Sequence, residues 1–167
     1  MAHNTTAKYI KNVKKNVNDC LSKGWLKADP FINYKISIKS VDRIFLSEVE
    51  LELISKKEFM IDRIDQVRDI FVFSCYTGLL YIDVANLTPH HIAIGMDKEK
   101  WIFTNRQKTN TASHIPLLPP AMAIVNKYKS HPVVLNKGKL LPVLSNQKMN
   151  AYLKEIADLC GIRKDLT

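Results

Sequence analysis

The residues with the clearest chemical potential lie in the stretch SCYTGLLYIDVANLTP, residues 74–89. Its pattern predicts a helix that ends at Gly78, a tight turn, and a short second helix over about residues 81–87. Asp83 falls just inside that second helix, and Leu80 lies in the turn, where a charged side chain is the more natural residue. The stretch therefore predicts a turn that presents position 80, with an acid three residues further on.

The charge balance indicates a polyanionic partner. The chain carries 25 Lys and Arg against 16 Asp and Glu, a net charge of +9. A positive field favours nucleic acid, because each phosphate that is neutralised releases counterions. A lysine stripe on a helix is also compatible with a simply solvated face. The candidate DNA-binding residues are Lys8, Lys11, Lys15, Lys35, Lys39, Arg43 and Arg106.

The first part of the chain is predicted to be helical and then extended. One helix spans residues 5–23, with an apolar stripe on one face and Gly24 just past its end. Asp29-Pro30 stops the helical pattern. The stretch INYKISIKSVDR lacks helical periodicity and reads as an extended basic linker between two units.

The second part has an α+β order. Ser47 and Glu50 form a capping-box pattern, so a helix is predicted from about residue 48, followed by the apolar helix that ends at Gly78. From residue 92, three short runs predict a three-strand antiparallel meander. Pro119-Pro120 opens a further helix, and Ser145 caps a last one. The segment PVVLNKGKLLPVL between these two helices is predicted to be a loop.

These parts, in this order, resemble tyrosine recombinases, in particular integrases of mobile elements from Bacteroides-like bacteria. The resemblance is carried by FLSEVELELI, FVFSCYTGLLYIDVANLT and RQKTNTASHIPLL, and it extends over essentially the whole chain. It implies a C-terminal piece of a helical core-binding domain over 1–32, a basic linker over 33–43, and the first part of a catalytic domain over 44–167. The implied fold is a mainly helical α+β domain with a small three-stranded antiparallel sheet.

The resemblance also implies a chemistry. Such enzymes cut DNA with a tyrosine, form a phosphotyrosine link and rejoin the strands without a metal or nucleotide cofactor. Thr77-Gly78-Leu79 matches the turn that presents the first catalytic arginine, and Leu80 stands at the arginine position. Asp83 matches the acid that steadies this arginine, and Lys108 matches the hairpin lysine that protonates the leaving oxygen.

Other parts of the catalytic set have no counterpart in this chain. The His-x-x-Arg pair and the nucleophilic tyrosine of the family are expected beyond Thr167, so the chain is expected to be part of a longer enzyme. Removing one charge-stabilising donor costs about 10²–10³ in rate. The chain itself is therefore predicted not to cleave DNA, and whether it should be called an enzyme is open. The expected partners are double-stranded DNA and other recombinase protomers, with no membrane and no small-molecule substrate.

Each assignment has a simpler alternative. Leu80 can be a core residue of a diverged protein, Asp83 can interact only with the dipole of its short helix, and Lys108 can be an ordinary turn lysine. At the level of function, the alternatives are a non-catalytic DNA-binding protein of recombinase ancestry and an interaction module without a DNA role.

No metal or membrane signal is present in the sequence. The three cysteines have no paired spacing and are expected to be small buried residues. His90-His91 lacks further ligands at a suitable spacing and is expected to lie in a loop, and His114 is expected to be an exposed strand residue. The segment LNKGKL lacks the upstream glycine of a phosphate-binding loop. Short apolar runs and a polar N-terminus predict a cytoplasmic bacterial protein.

Overall fold

The structure is a computed structural model that describes residues 3–40, 44–164 and 166. The chain divides into a first unit, Met1–Ile44, and a second unit, Phe45–Thr167. In order, the elements are α1 (His3–Ser22), α2 (Glu48–Lys56), α3 (Asp62–Thr77), α4 (Tyr81–Asn86), a 3-10 turn (Pro89–His91), β1 (Ile92–Ile94), β2 (Lys100–Asn105), β3 (Ala112–Pro116), α5 (Pro119–Tyr128), α6 (Pro132–Lys137) and α7 (Asn146–Leu159).

The first unit consists of α1 and an extended segment that returns along it. Gly24 ends the helix with a φ of 71°, and the amide of Trp25 donates to the Cys20 carbonyl at 2.9 Å. The Asn4 side chain pairs with the backbone of Lys39 in both directions, at 2.9 Å each. Few apolar side chains are covered, since Ala7 is the buried residue of α1 and Val13 is 51% exposed.

The second unit is built around α3. The capping box predicted at Ser47 and Glu50 is present at the start of α2. Helix α3 ends at Gly78, which has a left-handed φ of 63°. Its apolar residues, including Ile64, Val67 and Phe73, are buried, and α2, α5 and α7 all pack against it. The predicted central helix is therefore confirmed.

A small sheet with order β1-β2-β3 follows α4, and both strand pairs are antiparallel. Ile92, Ile102 and Ile115 lie side by side across the three strands, and Ile102 is completely buried. The alternate residues, such as Phe103 and His114, point away from this face, because successive side chains of a strand alternate. The predicted α+β fold with a three-stranded antiparallel meander is confirmed.

Two local predictions were wrong. Residues 132–137 form the short helix α6 instead of a loop; Pro132 begins it and Gly138 ends it in a left-handed conformation. A six-residue helix shows less than two turns of periodicity, which is too little to distinguish it from a loop. The cysteines, which were expected to be buried, are not: Cys75 is exposed, and Cys20 and Cys160 are half-buried.

An ion network around the buried Asp69 joins α3 to α5. We call it the Asp69 network; its members are Asp65, Arg68, Asp69, Lys127 and Tyr128. Asp69 accepts from the Arg68 Nε at 2.6 Å through Oδ1, and from the Lys127 Nζ at 2.6 Å and the Tyr128 hydroxyl at 2.9 Å through Oδ2. Asp65 accepts from Lys127 at 2.5 Å and also pairs with Arg68. Arg68 reaches two carbonyls of α2 and its C-terminal end, those of Ser55 and Lys57.

Candidate functional site

The turn between α3 and α4 is closed by short-range hydrogen bonds. The Gly78 amide donates to the Ser74 carbonyl at 2.8 Å, and the Leu80 carbonyl accepts from the amides of Asp83 and Val84 at 3.0 Å each. Leu80 is the N-cap residue of α4. Its side chain is 48% exposed although it is apolar. The turn thus directs position 80 outward, and the alternative that Leu80 is a core residue is wrong.

Asp83 lies at the base of this turn and is only 4% exposed. Its Oδ1 accepts from the backbone amide of Gln107 at 2.9 Å. Its Oδ2 is buried and has no hydrogen-bond partner among the residues that the structure describes. A buried carboxylate oxygen without a partner is costly, because its hydration is lost and nothing replaces it. Among the described residues, the Asp83 side chain accepts its hydrogen bond from the hairpin and none from its own helix.

The hairpin between β2 and β3 is tightly closed. The Arg106 amide donates to the Thr111 carbonyl at 2.9 Å, and the Asn110 amide donates to the Arg106 carbonyl at 2.7 Å. Asn110 has a left-handed φ of 52°, which asparagine tolerates better than most residues. Lys108 lies at the exposed end of this loop and makes no hydrogen bond or ion pair with any described residue.

The hairpin is bound to α4 through Gln107, the residue before Lys108. In addition to the bond with Asp83, the Gln107 side chain accepts from the Asn86 side chain at 2.8 Å. Asn86 in turn accepts from the Lys139 Nζ at 3.3 Å. The structure therefore places Leu80, Asp83 and the Lys108 hairpin around one short helix. Asn86 and Gln107 were missed by the sequence analysis. Their signal was the three-residue spacing of Asp83 and Asn86, which places both on one face of α4.

The remaining predicted basic residues are distributed over both units. Arg106 is half-buried, and its Nε donates to the Ser113 hydroxyl at 3.2 Å across the hairpin. Arg43 lies outside the described residues. The other five are exposed residues of the first unit, on α1 or on the returning segment: Lys8, Lys11, Lys15, Lys35 and Lys39.

Leu80 also borders an apolar groove of about 420 Å³ between α3, α4 and α7. The groove is lined mainly by Ile70, Phe71, Leu79, Met149 and Leu153. None of its described lining residues carries a charge. Leu80 therefore continues an apolar surface instead of presenting a cation.

The histidines take no part in this site. His90 and His91 were expected in a loop but belong to the short 3-10 turn, and the His91 Nδ1 lies 2.8 Å from the Thr88 hydroxyl. His114 is an exposed strand residue, as expected, and its ring is 4.9 Å from that of Phe103. No group of three or more His, Cys, Asp or Glu within residues 3–40, 44–164 and 166 has the geometry of a metal site. In the same part of the chain, no helix is long and apolar enough to cross a bilayer.

Sequence comparisons give no relative, since no protein-family model and no curated protein matches the chain. Solved structures do match. A crystal structure of a lambda integrase dimer, residues 75–356, bound to a COC′ core site aligns with a TM-score of 0.71 at 14% identity and covers 93% of this chain and 56% of that one. A second lambda integrase dimer on a COC′ core site gives 0.69 at 13% identity, covering 93% of this chain and 45% of that one.

The crystal structure of XerA recombinase gives a TM-score of 0.53 at 14% identity, covering 76% of this chain and 47% of that one. The chain thus spans about half the length of the structures it resembles. At these identities the likeness establishes the fold. The chain has the α+β fold of lambda integrase and XerA recombinase, with the small antiparallel sheet that the sequence predicted.

Proposed function

We propose that this chain is part of a site-specific DNA recombinase of tyrosine type, the integrase of a mobile genetic element, and that by itself it binds duplex DNA without cutting it. The observation that carries the proposal is the arrangement around α4. In a fold shared with lambda integrase, an outward-facing turn, a buried acid and a lysine hairpin converge on one short helix.

The resemblance gives each of these parts a role at the scissile phosphate. Position 80 would hold the arginine that clamps nonbridging oxygens through its bidentate fork. Asp83 would steady that arginine, and Lys108 would protonate the departing 5′ oxygen. The unpartnered Oδ2 of Asp83 supports this assignment, because a buried acid is expected to have a cationic partner.

Leu80 removes the charge on which this site depends. Preorganised charges around the transition state usually supply the largest catalytic contribution, and one missing donor costs about 3–4 kcal/mol. Lys108 and Asp83 alone cannot neutralise a five-coordinate phosphate and also provide a nucleophile. Cleavage and rejoining are therefore assigned to a longer parent protein, acting as paired protomers on DNA in the bacterial cytoplasm.

DNA binding follows from charge and exposure. The net charge is +9, and Lys8, Lys11 and Lys15 are exposed on one helix and form no ion pair with any residue that the structure describes. Each lysine that contacts a phosphate contributes about 0.9 to the log–log dependence of affinity on salt. Several such contacts give a steep salt dependence, whereas an interaction module without a DNA role gives none.

The test is duplex binding by fluorescence anisotropy, with a random-sequence duplex at about 50 mM and 200 mM salt. We expect affinity to weaken at least roughly fortyfold over this range, as three or more phosphate contacts require. Replacing Lys8, Lys11 and Lys15 by alanine should lower the salt slope by about three. Lys23→Ala is the matched control, because Lys23, in the turn that follows the same helix, is paired with Asp19 at 2.9 Å.

Absence of cleavage is tested separately, by incubating the 167-residue protein with nicked duplexes and looking for covalent protein–DNA adducts. None is expected, and an adduct would overturn this part of the proposal. Leu80 also favours a second candidate, a non-catalytic DNA-binding protein of recombinase ancestry. The two are separated by the parent reading frame: a His-x-x-Arg pair and a later tyrosine after residue 167 support the enzyme.

A further inference from the structure

We infer that Asn86 is a positioning residue for Lys108: together with Asp83 it fixes the hairpin that carries this lysine, so that the lysine contacts a DNA phosphate at a set position. The inference rests on the proposed function, because it requires that Lys108 contacts DNA. It goes beyond that function by assigning roles to Asn86 and Gln107, neither of which has a catalytic group.

The first step is the double attachment of Gln107. Its backbone amide donates to Asp83 at 2.9 Å, and its side-chain oxygen accepts from the Asn86 Nδ2 at 2.8 Å. Asp83 and Asn86 are three residues apart on α4, so they share one face of that helix. A single hairpin residue is therefore held at both its main chain and its side chain by the same short helix.

The second step is the orientation of Asn86. Its Oδ1 accepts from the Lys139 Nζ at 3.3 Å, and an ammonium group can only donate. This contact determines which end of the amide is the oxygen, and it leaves the Nδ2 for Gln107. Helix α4 is itself connected to the Lys139 segment, because the Leu140 amide donates to the Leu87 carbonyl at 2.8 Å.

The third step is what remains free. The loop is closed between Arg106 and Thr111, and the residue before Lys108 is bound to α4. The Lys108 side chain is exposed and contacts no described partner. The hairpin backbone is therefore fixed before DNA binds, while the Lys108 side chain is free to contact a phosphate. Binding does not have to order the loop, so the entropic cost of this contact is reduced.

The experiment is a double-mutant cycle on the full chain, measured as duplex affinity by anisotropy at about 50 mM salt. One phosphate contact scales with salt to about the −0.9 power, so Lys108→Ala should weaken binding roughly tenfold and lower the salt slope by about one. Lys98→Ala is the matched control, an exposed lysine in the turn between β1 and β2. Lys98→Ala should change duplex affinity by no more than about twofold, because Lys98 is not proposed to contact a DNA phosphate.

The decisive comparison repeats Lys108→Ala in the Asn86→Ala and Gln107→Ala backgrounds. Both variants remove the side-chain bond between Asn86 and Gln107 and keep the bond from the Gln107 amide to Asp83. With this side-chain attachment lost, Lys108→Ala should weaken binding by no more than about threefold, because contributions of coupled residues are not additive. Asn86 and Gln107 are both exposed, so both variants should retain the parental melting temperature to within about 2 °C. Amide hydrogen exchange of the loop should accelerate in both, which a purely surface role would not produce.

The outcomes separate the inference from the function beneath it. If Lys108→Ala remains tenfold in both released backgrounds, the positioning role is overturned while the DNA contact stands. If Lys108→Ala has no effect in the parental chain, Lys108 does not contact DNA, and the inference is overturned together with the role proposed for this lysine. A reduced effect in both backgrounds with accelerated loop exchange supports the positioning role.

Discussion

Two buried carboxylates of the second unit have similar exposure and very different surroundings. Asp69 is 6% exposed and Asp83 is 4% exposed. Asp69 accepts three hydrogen bonds, from Arg68, Lys127 and Tyr128. Asp83 accepts one, from a backbone amide, and its Oδ2 has no partner among the described residues. Burial is therefore a poor guide to the role of an acid, whereas its hydrogen-bond partners separate a structural carboxylate from one available to a further cation.

The Asp69 network shows what a completed site does to its members. Burial raises the pKa of the Tyr128 hydroxyl, and the charge of Asp69 raises it further. Burial lowers the pKa of Lys127, but its hydrogen bonds to Asp65 and Asp69 outweigh this, and the pKa is raised overall. Every charge in the network has an opposite charge beside it. The network is thus a structural connection between α3 and α5.

The largest expected effect comes from removing the charge of each acid in turn. Asp69→Asn leaves Arg68 buried with one of its ion pairs lost, and should lower the free energy of unfolding by about 3 kcal/mol. Asp83→Asn removes a buried carboxylate that forms no ion pair with any described residue, and should change stability by less than about 1 kcal/mol in either direction. Urea unfolding measures both.

The control for this pair is Asp158→Asn, on an exposed acid of α7, which should stay within about 0.5 kcal/mol of the parent. Equal losses for Asp69→Asn and Asp83→Asn would contradict the distinction between the two carboxylates.

The second largest effect is expected from giving Asp83 a basic partner, which Asp69 already has. Leu80→Arg introduces a guanidinium three residues before Asp83, which is a neighbouring position on the helix. A charged hydrogen bond to the Oδ2 should raise stability by about 1 kcal/mol, and the extra phosphate contact should tighten duplex binding roughly tenfold at low salt. Thermal melts and anisotropy measure the two changes.

Ile82→Arg is the matched control, because Ile82 is an exposed apolar residue of the same helix. It adds the same charge next to Asp83 in sequence but not on the same face. If Ile82→Arg gives the same gains, the effect is that of net charge. If Leu80→Arg keeps its stability gain after Asp83→Ala, Asp83 is not the partner.

The sequence predicted what depends on neighbouring residues. The ends of α2 and α3 were predictable because Ser47 and Glu50 form a local box and Gly78 accepts a left-handed φ. The meander was predictable from alternation and turns. The same local signals placed Leu80 in a turn and Asp83 inside a helix.

Contacts between residues far apart in the sequence could not be predicted from these local signals. Asp83 and Gln107 are separated by 24 positions, and Lys127 and Asp69 by 58. No periodic pattern encodes which of many carboxylates meets which donor. The Asp69 network was not predicted: Asp65, Arg68 and Asp69 are close in sequence, but nothing local specifies their partners on α5. The apolar stripe of α1 correctly predicted a helix, yet Val13 is largely exposed, because amphipathicity does not specify a packing partner.

The smallest expected effect concerns a third carboxylate, Glu50, whose partner lies near the end of the described chain. The Lys164 Nζ donates to Glu50 at 2.6 Å and to the Phe45 carbonyl at 3.1 Å, which connects the last described residues to the start of α2. The bond from Lys164, aided by the Ser47 amide, lowers the pKa of Glu50 from 4.5 to about 2. A lowered pKa means that the folded state favours the charged form, so this stabilisation is complete above the unfolded value and lost as pH falls towards the folded one.

Glu50→Gln keeps the capping-box geometry but removes the charge. The parental chain should therefore melt above the Glu50→Gln variant at pH 6, and the difference should shrink between pH 4.5 and about 2. Glu52→Gln is the matched control, because Glu52 pairs with Lys56 within the same helix and both side chains are exposed. Such pairs contribute little, so the melting temperature of this control should match that of the parent at every pH.

A pH-independent difference for Glu50→Gln would mean that Glu50 acts only through the cap, and Lys164 would then not secure the C-terminal segment. A difference that closes on acidification means that Glu50, a half-buried carboxylate with a partner, contributes to stability in a way that the buried Asp83 does not.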